Sequence, residues 1–330
     1  MNSGPTMKDV AREAGVALKT VSRYVNGETN INPELAERIG KAIAKLGYRR
    51  NLAAASIRPG WTSRTIGLVI GDLANPYYSP IGRAVEQVAR DAGFALTIAS
   101  SDEDGTRHDA IIDRMLQQRI DGVIVVPPRI PGRPWSQVAP PVPPVVFIDR
   151  PPELELAHVV LADNAGGARE ATLALMAAGA QKVAFVGDSL DIYTMRERYH
   201  GYASALVESG LPLDSGLVLS SAHDSQQAAR ATADILRTGA ADAIFAANNR
   251  AALGALKAFQ TAGRRLPLIG FDDFEAAELL HPALSVVTHD TALMGSIAAE
   301  MLMALINGSE PEMRRQLLPT HLSLRGSERP

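Results

Sequence analysis

The chain has 330 residues, of which 46% are hydrophobic, 21% charged and none cysteine, and its formal net charge is −3. That is enough sequence for a small domain and a larger two-lobed body, and the absence of cysteine excludes a disulfide framework, a thiolate nucleophile and a Cys-ligated metal site. With no apolar run long enough to span a bilayer and no basic-then-apolar leader, the expected location is the cytoplasm.

Residues 6–26, TMKDVAREAGVALKTVSRYVN, predict two short helices around a glycine turn. Thr6 caps the first helix with Asp9 three residues on, and Gly15 breaks the chain. Val10, Ala14, Val16, Val21 and Val25 share a small core, leaving Lys19, Ser22 and Arg23 to face outward. A third helix starts at Asn32-Pro33 and ends at Gly47, with Leu35, Ile39, Ile43 and Leu46 on its apolar side. Residues 1–58 hold ten Lys and Arg against five Asp and Glu, so the positive end of the chain is the one suited to phosphate. A helix-prone segment too short to be stable alone, Tyr48 to Arg58, follows.

In order and spacing, KDVAREAGVALKTVSRYVNG, LGYRRN and the segment ending SIR resemble the LacI family of bacterial transcription regulators. The resemblance implies a headpiece at 1–48, a hinge helix and linker at 49–63, and an effector-binding and dimerisation body at 64–330. It also implies that Lys19 and Arg23 lie near base edges and that Thr20, Ser22 and Asn26 lie near phosphates. Thr6 counts among the DNA-contacting positions, and Leu18 offers apolar contact to a thymine methyl. Asn51, Ala54 and Ile57 would belong to a hinge helix that forms in the minor groove, with Ile57 as the wedge. Ala17 departs from the family's usual Ser or Thr, and Arg50 from its usual Pro.

From Arg64 strands alternate with helices. TIGLVIGDL, FALTIASS, DGVIVVP and VVFID predict a first parallel sheet; KVAFVGDS, GLVLSS, DAIFAANN and LPLIGFDD predict a second, and LLPTHLSLRG is the last strand. The expected architecture is a three-helix headpiece plus two similar α/β lobes. By resemblance it is like a periplasmic sugar-binding protein, with lobe one at about 64–162 and 291–317 and lobe two at about 163–290 and 318–330.

In such sheets ligands bind beyond the carboxyl ends of the strands. The candidate effector residues are therefore Asp72, Asn75, Tyr77, Tyr78, Asp149, Arg198, Asn248 and Asp272, together with His223 and His289, which sit where relatives shape the pocket, as does Thr291. By resemblance Arg198, Asn248 and Asp272 form the hydroxyl clamp. The expected partners are pseudo-palindromic operator DNA, a sugar-type effector and a second copy of the chain. A dimer is expected over a tetramer because no heptad tail follows the last strand. The alternative effector is a purine or nucleoside acting as corepressor. Gly187-Asp188-Ser189-Leu190 spells the GDSL-esterase nucleophile motif, but lacks that family's later Asp-x-x-His segment. No enzyme activity, cofactor or metal is expected.

Overall fold

The computed structural model describes residues 4–26, 28, 30–48 and 62–329. It divides into two compact units, the first ending at Ser63 and the second beginning at Arg64. In the first, α1 (Met7–Ala14), α2 (Leu18–Val25) and α3 (Pro33–Leu46) bury Val10, Ala11, Ala14, Val21, Ile39 and Ala42. Thr6 and Asp9 form a reciprocal capping box at the start of α1. Gly15 ends that helix at φ 61°, in the left-handed region where a side chain is disfavoured.

The second unit contains two six-stranded sheets. The first runs β1 (Thr65–Ile70), α4 (Tyr78–Asp91), β2 (Ala95–Ser100), α5 (Gly105–Gln117), β3 (Gly122–Val125), β4 (Val145–Ile148) and β5 (His158–Ala162). The chain then crosses over to α6 (Asn164–Ala177), β6 (Val183–Val186), α7 (Tyr193–Glu208), β7 (Val218–Leu219), α8 (Ser225–Thr238), β8 (Ala243–Ala246), α9 (Asn249–Ala262), β9 (Leu268–Phe271) and β10 (Ser285–Thr288). It returns with α10 (Thr291–Ile306) and β11 (Arg315–Leu318) and crosses a third time to β12 (His321–Ser323). The strand orders correspond: β11-β5-β4-β3-β1-β2 and β12-β10-β9-β8-β6-β7. All pairings are parallel except β10 with β12.

Both faces of the sheets are covered, which is why the strands read as continuous apolar runs. Ile66, Leu68 and Ile70 of β1 pack under α4 and α10, while Val69 faces the cluster built on α5. Helices α6 and α7 approach closely enough that a Cβ on Gly201 would lie 2.1 Å from the Ala165 carbonyl, so only glycine fits there. Strands β5 and β10 had no counterpart in the sequence reading, and the single last strand expected over 317–326 is corrected to two. Pro319 and Thr320 separate β11 from β12, and each joins a different sheet.

Candidate functional site

The headpiece presents α2 through its exposed Leu18 and Lys19, with Thr20 and Ser22 half-buried. Ala17 stands at the cap position and makes no side-chain cap bond, leaving the first N–H groups of α2 open to an outside acceptor. Arg38 Nη2 donates to the carbonyls of Ala14 at 2.5 Å and Gly15 at 3.2 Å, pinning the turn from α3. One expectation is corrected. Arg23 does not simply face outward: its Nε donates to Glu28 at 2.6 Å and its Nη2 to the Asn30 carbonyl at 2.9 Å. The acid that lies five residues on competes for it. Asn26 contacts Ser22 at 3.5 Å. The hinge positions Asn51, Ala54 and Ile57 lie outside the described residues.

In the body, the strand ends of the two sheets face each other across a cavity of about 70 Å³. Its lining includes Asp72, Asn75, Tyr77, Tyr78, Asp149, Arg198, Asn248 and Asp272. Asp149 and Asp272 follow β4 and β9, equivalent strands of the two sheets, and both adopt left-handed φ, 66° and 65°. Such backbone conformations are uncommon outside glycine and concentrate where function demands them.

Arg198 is 2% exposed and almost saturated. Its Nη1 and Nη2 donate to the two Asp272 oxygens at 2.8 and 3.0 Å, its Nε to Asn164 at 2.8 Å and Nη1 also to the Ala247 carbonyl at 2.7 Å. The guanidinium lies 3.6 Å from the centroid of the Phe271 ring. It therefore has at most one N–H left for a ligand, whereas Asp272 keeps acceptor lone pairs. Asn248 caps α9 through its oxygen, which accepts from Ala251 N at 2.7 Å, and its Nδ2 donates to the Met195 sulfur at 4.0 Å, which leaves one amide N–H for a ligand.

Across the site, Tyr77 donates its hydroxyl to Asp149 at 2.9 Å and has His289 Nε2 at 3.2 Å. Burial first, then the Asp149 and Asp272 charges, push the Tyr77 hydroxyl well above its usual range, so it stays a donor. Burial lowers the His289 pKa, against the pull of Asp272. With Nε2–H donated to the tyrosine oxygen, the neutral ring leaves its buried Nδ1 without a partner among the described residues. His289 sits behind Tyr77 and does not line the cavity, which corrects its expected direct role. His223 does not line it either. Its Nδ1 meets Asp188, and its Nε2 accepts from Arg129 Nη1 at 3.2 Å.

The two lobes are bonded directly to each other. Arg250 of lobe two pairs with Asp72 of lobe one, Asn249 Nδ2 donates to Asn75 Oδ1 at 2.8 Å, and Arg129 reaches His223. Burial alone would raise the Asp72 carboxyl, but the Ala74 N–H and Arg250 outweigh it and hold it low. Ser189 of the GDSL motif donates its hydroxyl to Asp191 at 2.8 Å, and no histidine bonds to it among the described residues. Among those residues no group of three or more His, Cys, Asp or Glu is placed to hold a metal ion, and no helix is long and apolar enough to cross a membrane.

Residues 6–51 match the family described as bacterial regulatory proteins of the lacI family, and residues 172–328 match a periplasmic binding protein-like domain. The chain is 32% identical to the HTH-type transcriptional regulator CelR of Thermobifida fusca, over 98% of each protein. The chain belongs to the LacI family of bacterial regulatory proteins. The structure of a CelR–cellobiose complex superposes with a TM-score of 0.70 at 29% identity, covering 98% of this chain and 99% of that one. The lac repressor dimer bound to operator and the anti-inducer ONPF shares the fold, with a TM-score of 0.84 at 24% identity and coverage of 99% and 100%. The family fold expected from the sequence, a helical headpiece with two parallel-sheet lobes, is what the chain adopts.

Arg150, which follows Asp149 at the end of the strand VVFID, lines the cavity as its strand-end position predicts, whereas Glu103, Asp188, Ile192, Thr194, Met195 and Arg250 were missing from the sequence-derived set. Glu103 follows β2 and Asp188 follows β6, so the strand-end rule that selected Asp72 and Asp272 applies to them equally. Glu103 is held low because Arg150, donating two bonds at 2.6 and 2.8 Å, outweighs the effect of its burial. Ile192, Thr194 and Met195 carry no such signal; they are ordinary residues placed by the start of α7.

Proposed function

We propose that this chain is a ligand-controlled transcription regulator, a repressor that binds pseudo-palindromic DNA as a dimer and responds to a sugar-type effector. In this reading residues 1–48 are the headpiece, 49–63 the hinge and 64–330 the effector body, with lobes divided near 162, 290 and 317. Residues of α2, Leu18, Lys19, Thr20, Ser22 and Arg23, meet the major groove, and Asn51, Ala54 and Ile57 the minor groove. Asp72, Asp149, Asn248 and Asp272 meet effector hydroxyls, and Tyr77 offers a ring face.

The observation that supports this most is the directly cross-bonded cleft, Asp72 to Arg250 and Asn75 to Asn249, in a chain related over its whole length to CelR, whose complex contains cellobiose. A ligand that replaces those cross-lobe bonds binds the two body conformations unequally, which is the requirement for coupling to DNA. The test is fluorescence anisotropy with DNA from the region upstream of the gene, repeated with a panel of neutral sugars, sugar phosphates and sugar acids. The expected result is specific binding whose midpoint moves about 5- to 150-fold with one sugar and no turnover of that sugar. Absence of specific DNA binding, or chemical conversion of the ligand, overturns the reading.

A further inference from the structure

A second and larger cavity of about 340 Å³ adjoins the central one, and Arg150 and Ile192 line both. Its walls come from the proline-rich loop after β3, the loop after β4, and the first residues of α7 across the cleft. Proline faces, Trp135 and Tyr193 supply flat apolar surface. Trp135 is fixed edge-on against Phe147, with ring centroids 5.2 Å apart. The polar part of the lining is dominated by guanidinium groups: Arg129, Arg133, Arg150 and Arg196.

Each of the first three is held along one edge. Arg150 is bound by Glu103, Arg133 by Asp113 and Arg129 by His223. In all three the Nε is buried and has no hydrogen-bond partner among the described residues; for Arg150 the Asp149 carboxylate lies 3.5 Å away, outside hydrogen-bond geometry. His108, 4% exposed, also lines the cavity with an unpartnered Nε2. Arg196 lies 5.8 Å from the centroid of the Tyr193 ring, and no carboxylate pairs with it among the described residues.

Carboxylates are fewer: two line the cavity, both exposed, Glu153 and Asp191, and Asp191 accepts the Ser189 hydroxyl on one oxygen; Glu103 and Asp113, which hold Arg150 and Arg133, lie outside the lining. A neutral hydroxyl brings a donor that needs an acceptor, and this wall offers few. A phosphate or carboxylate accepts without donating and matches the planar fork of arginine. We propose that this second cavity takes the anionic group, phosphate or carboxylate, of a sugar-derived effector whose hydroxylated ring occupies the central cavity. The effector is then a sugar phosphate or a sugar acid and not a neutral sugar. This inference rests on the central cavity being the effector site.

Trp61 and Trp135 are the chain's two tryptophans, so Trp61→Phe makes Trp135 a reporter inside the second cavity. The full-length variant is titrated at constant ionic strength with phosphorylated hexoses and pentoses, the corresponding uronic and aldonic acids, the neutral parents, cellobiose and inorganic phosphate. Emission and calorimetry are recorded together. An anionic sugar should bind at least tenfold more tightly than its neutral parent and change Trp135 emission. Arg196→Gln alone and Arg129→Gln with Arg196→Gln should each weaken that binding, the double variant more. Preference for phosphates or for acids identifies which oxyanion is taken.

The proposal is overturned if cellobiose alters Trp135 emission as strongly as the anions, if the arginine variants bind anions unchanged, or if no member of the panel reaches Trp135. An anionic sugar that binds there without moving operator affinity refutes the regulatory reading and leaves this one standing. A neutral sugar that moves operator affinity with Trp135 silent does the reverse.

Discussion

The Asp72–Arg250 pair should hold the lobes together without ligand, and Arg250→Gln should release them. The two side chains are 30% and 29% exposed, between the buried and surface regimes. A buried charge-assisted hydrogen bond contributes about 1.5–3 kcal/mol and an exposed ion pair about 0.2–1 kcal/mol. At this exposure about 1 kcal/mol is the reasonable value, a roughly fivefold change in the closed-to-open ratio. The absence of cysteine makes the measurement clean: Leu156→Cys on lobe one and Val207→Cys on lobe two, 75% and 70% exposed, accept spin labels with no background thiol. Pulsed dipolar spectroscopy on the ligand-free protein should show a longer-distance population rising about fivefold relative to the closed one in Arg250→Gln. Asp72→Asn should do the same, and the double variant should add little, because both remove one interaction. Because the empty closed form competes with ligand entry, apparent effector affinity should rise as the open fraction grows. An unchanged distance distribution, or a coupling energy below about 0.3 kcal/mol in the cycle, would show that the pair is incidental.

Three further outcomes follow from the same geometry. Glu28→Gln should free Arg23 and remove a charge that repels phosphate, so operator affinity should rise several-fold and the salt dependence steepen by about one unit of slope; unchanged affinity in a salt titration would place Arg23 away from DNA. Asp272→Ala should lower the stability of the body by about 3–5 kcal/mol in a denaturant titration, because it strands the buried Arg198 charge. Asp272→Asn, which keeps the shape and tolerates the left-handed backbone, should lose less, and equal losses would count against the ion-pair argument. His289 is neutral in the fold because burial lowers its pKa, while the unfolded chain protonates near its ordinary value of about 6.5. Its contribution is therefore fully present above that pH and declines as pH falls below it. His289→Gln should flatten the stability profile below about pH 6.5, and His108, lowered mainly by burial, contributes in the same direction.

What the sequence disclosed, it disclosed through local physics. The capping box at Thr6, the glycine turn at Gly15 and the Asn32-Pro33 start are signals a few residues long, and each stands where it was expected. Strands with long apolar runs were equally plain. HVVLA and SVVT were missed because four or five apolar residues beside polar loops match a buried helix segment as well as a strand. The site was legible only as a list of strand ends. Which of those ends bond to each other is a tertiary fact: no spacing rule links Asp72 to Arg250, 178 residues on, or Asn75 to Asn249. Arg23 shows the opposite limit, since Glu28 is close in sequence but the loop that brings it back is not encoded in any helix or strand period.

The two sheets explain why acids gather where they do. In matching strand orders, β4 and β9 occupy the same place, and each is followed by an aspartate in the left-handed region, Asp149 and Asp272. Each carboxylate is met by a donor from its own lobe: the Tyr77 hydroxyl from the segment after β1, and the Arg198 guanidinium from the helix after β6. Since β1 and β6 are also equivalent, the donors correspond as well as the acceptors. The lobes therefore present two copies of one arrangement, an aspartate in the left-handed region with a donor from the segment that follows the strand two places away in the sheet, facing each other across the cleft. A symmetric pair of sites would grip both ends of a ligand alike. Here the hydrogen-bond donor to Asp149 is a neutral hydroxyl, with the Arg150 guanidinium 3.5 Å away outside hydrogen-bond geometry, whereas both oxygens of Asp272 accept from the Arg198 guanidinium. In the proposed effector site a ligand between them would meet two unequal acceptors, Asp149 with one oxygen hydrogen-bonded and Asp272 with both.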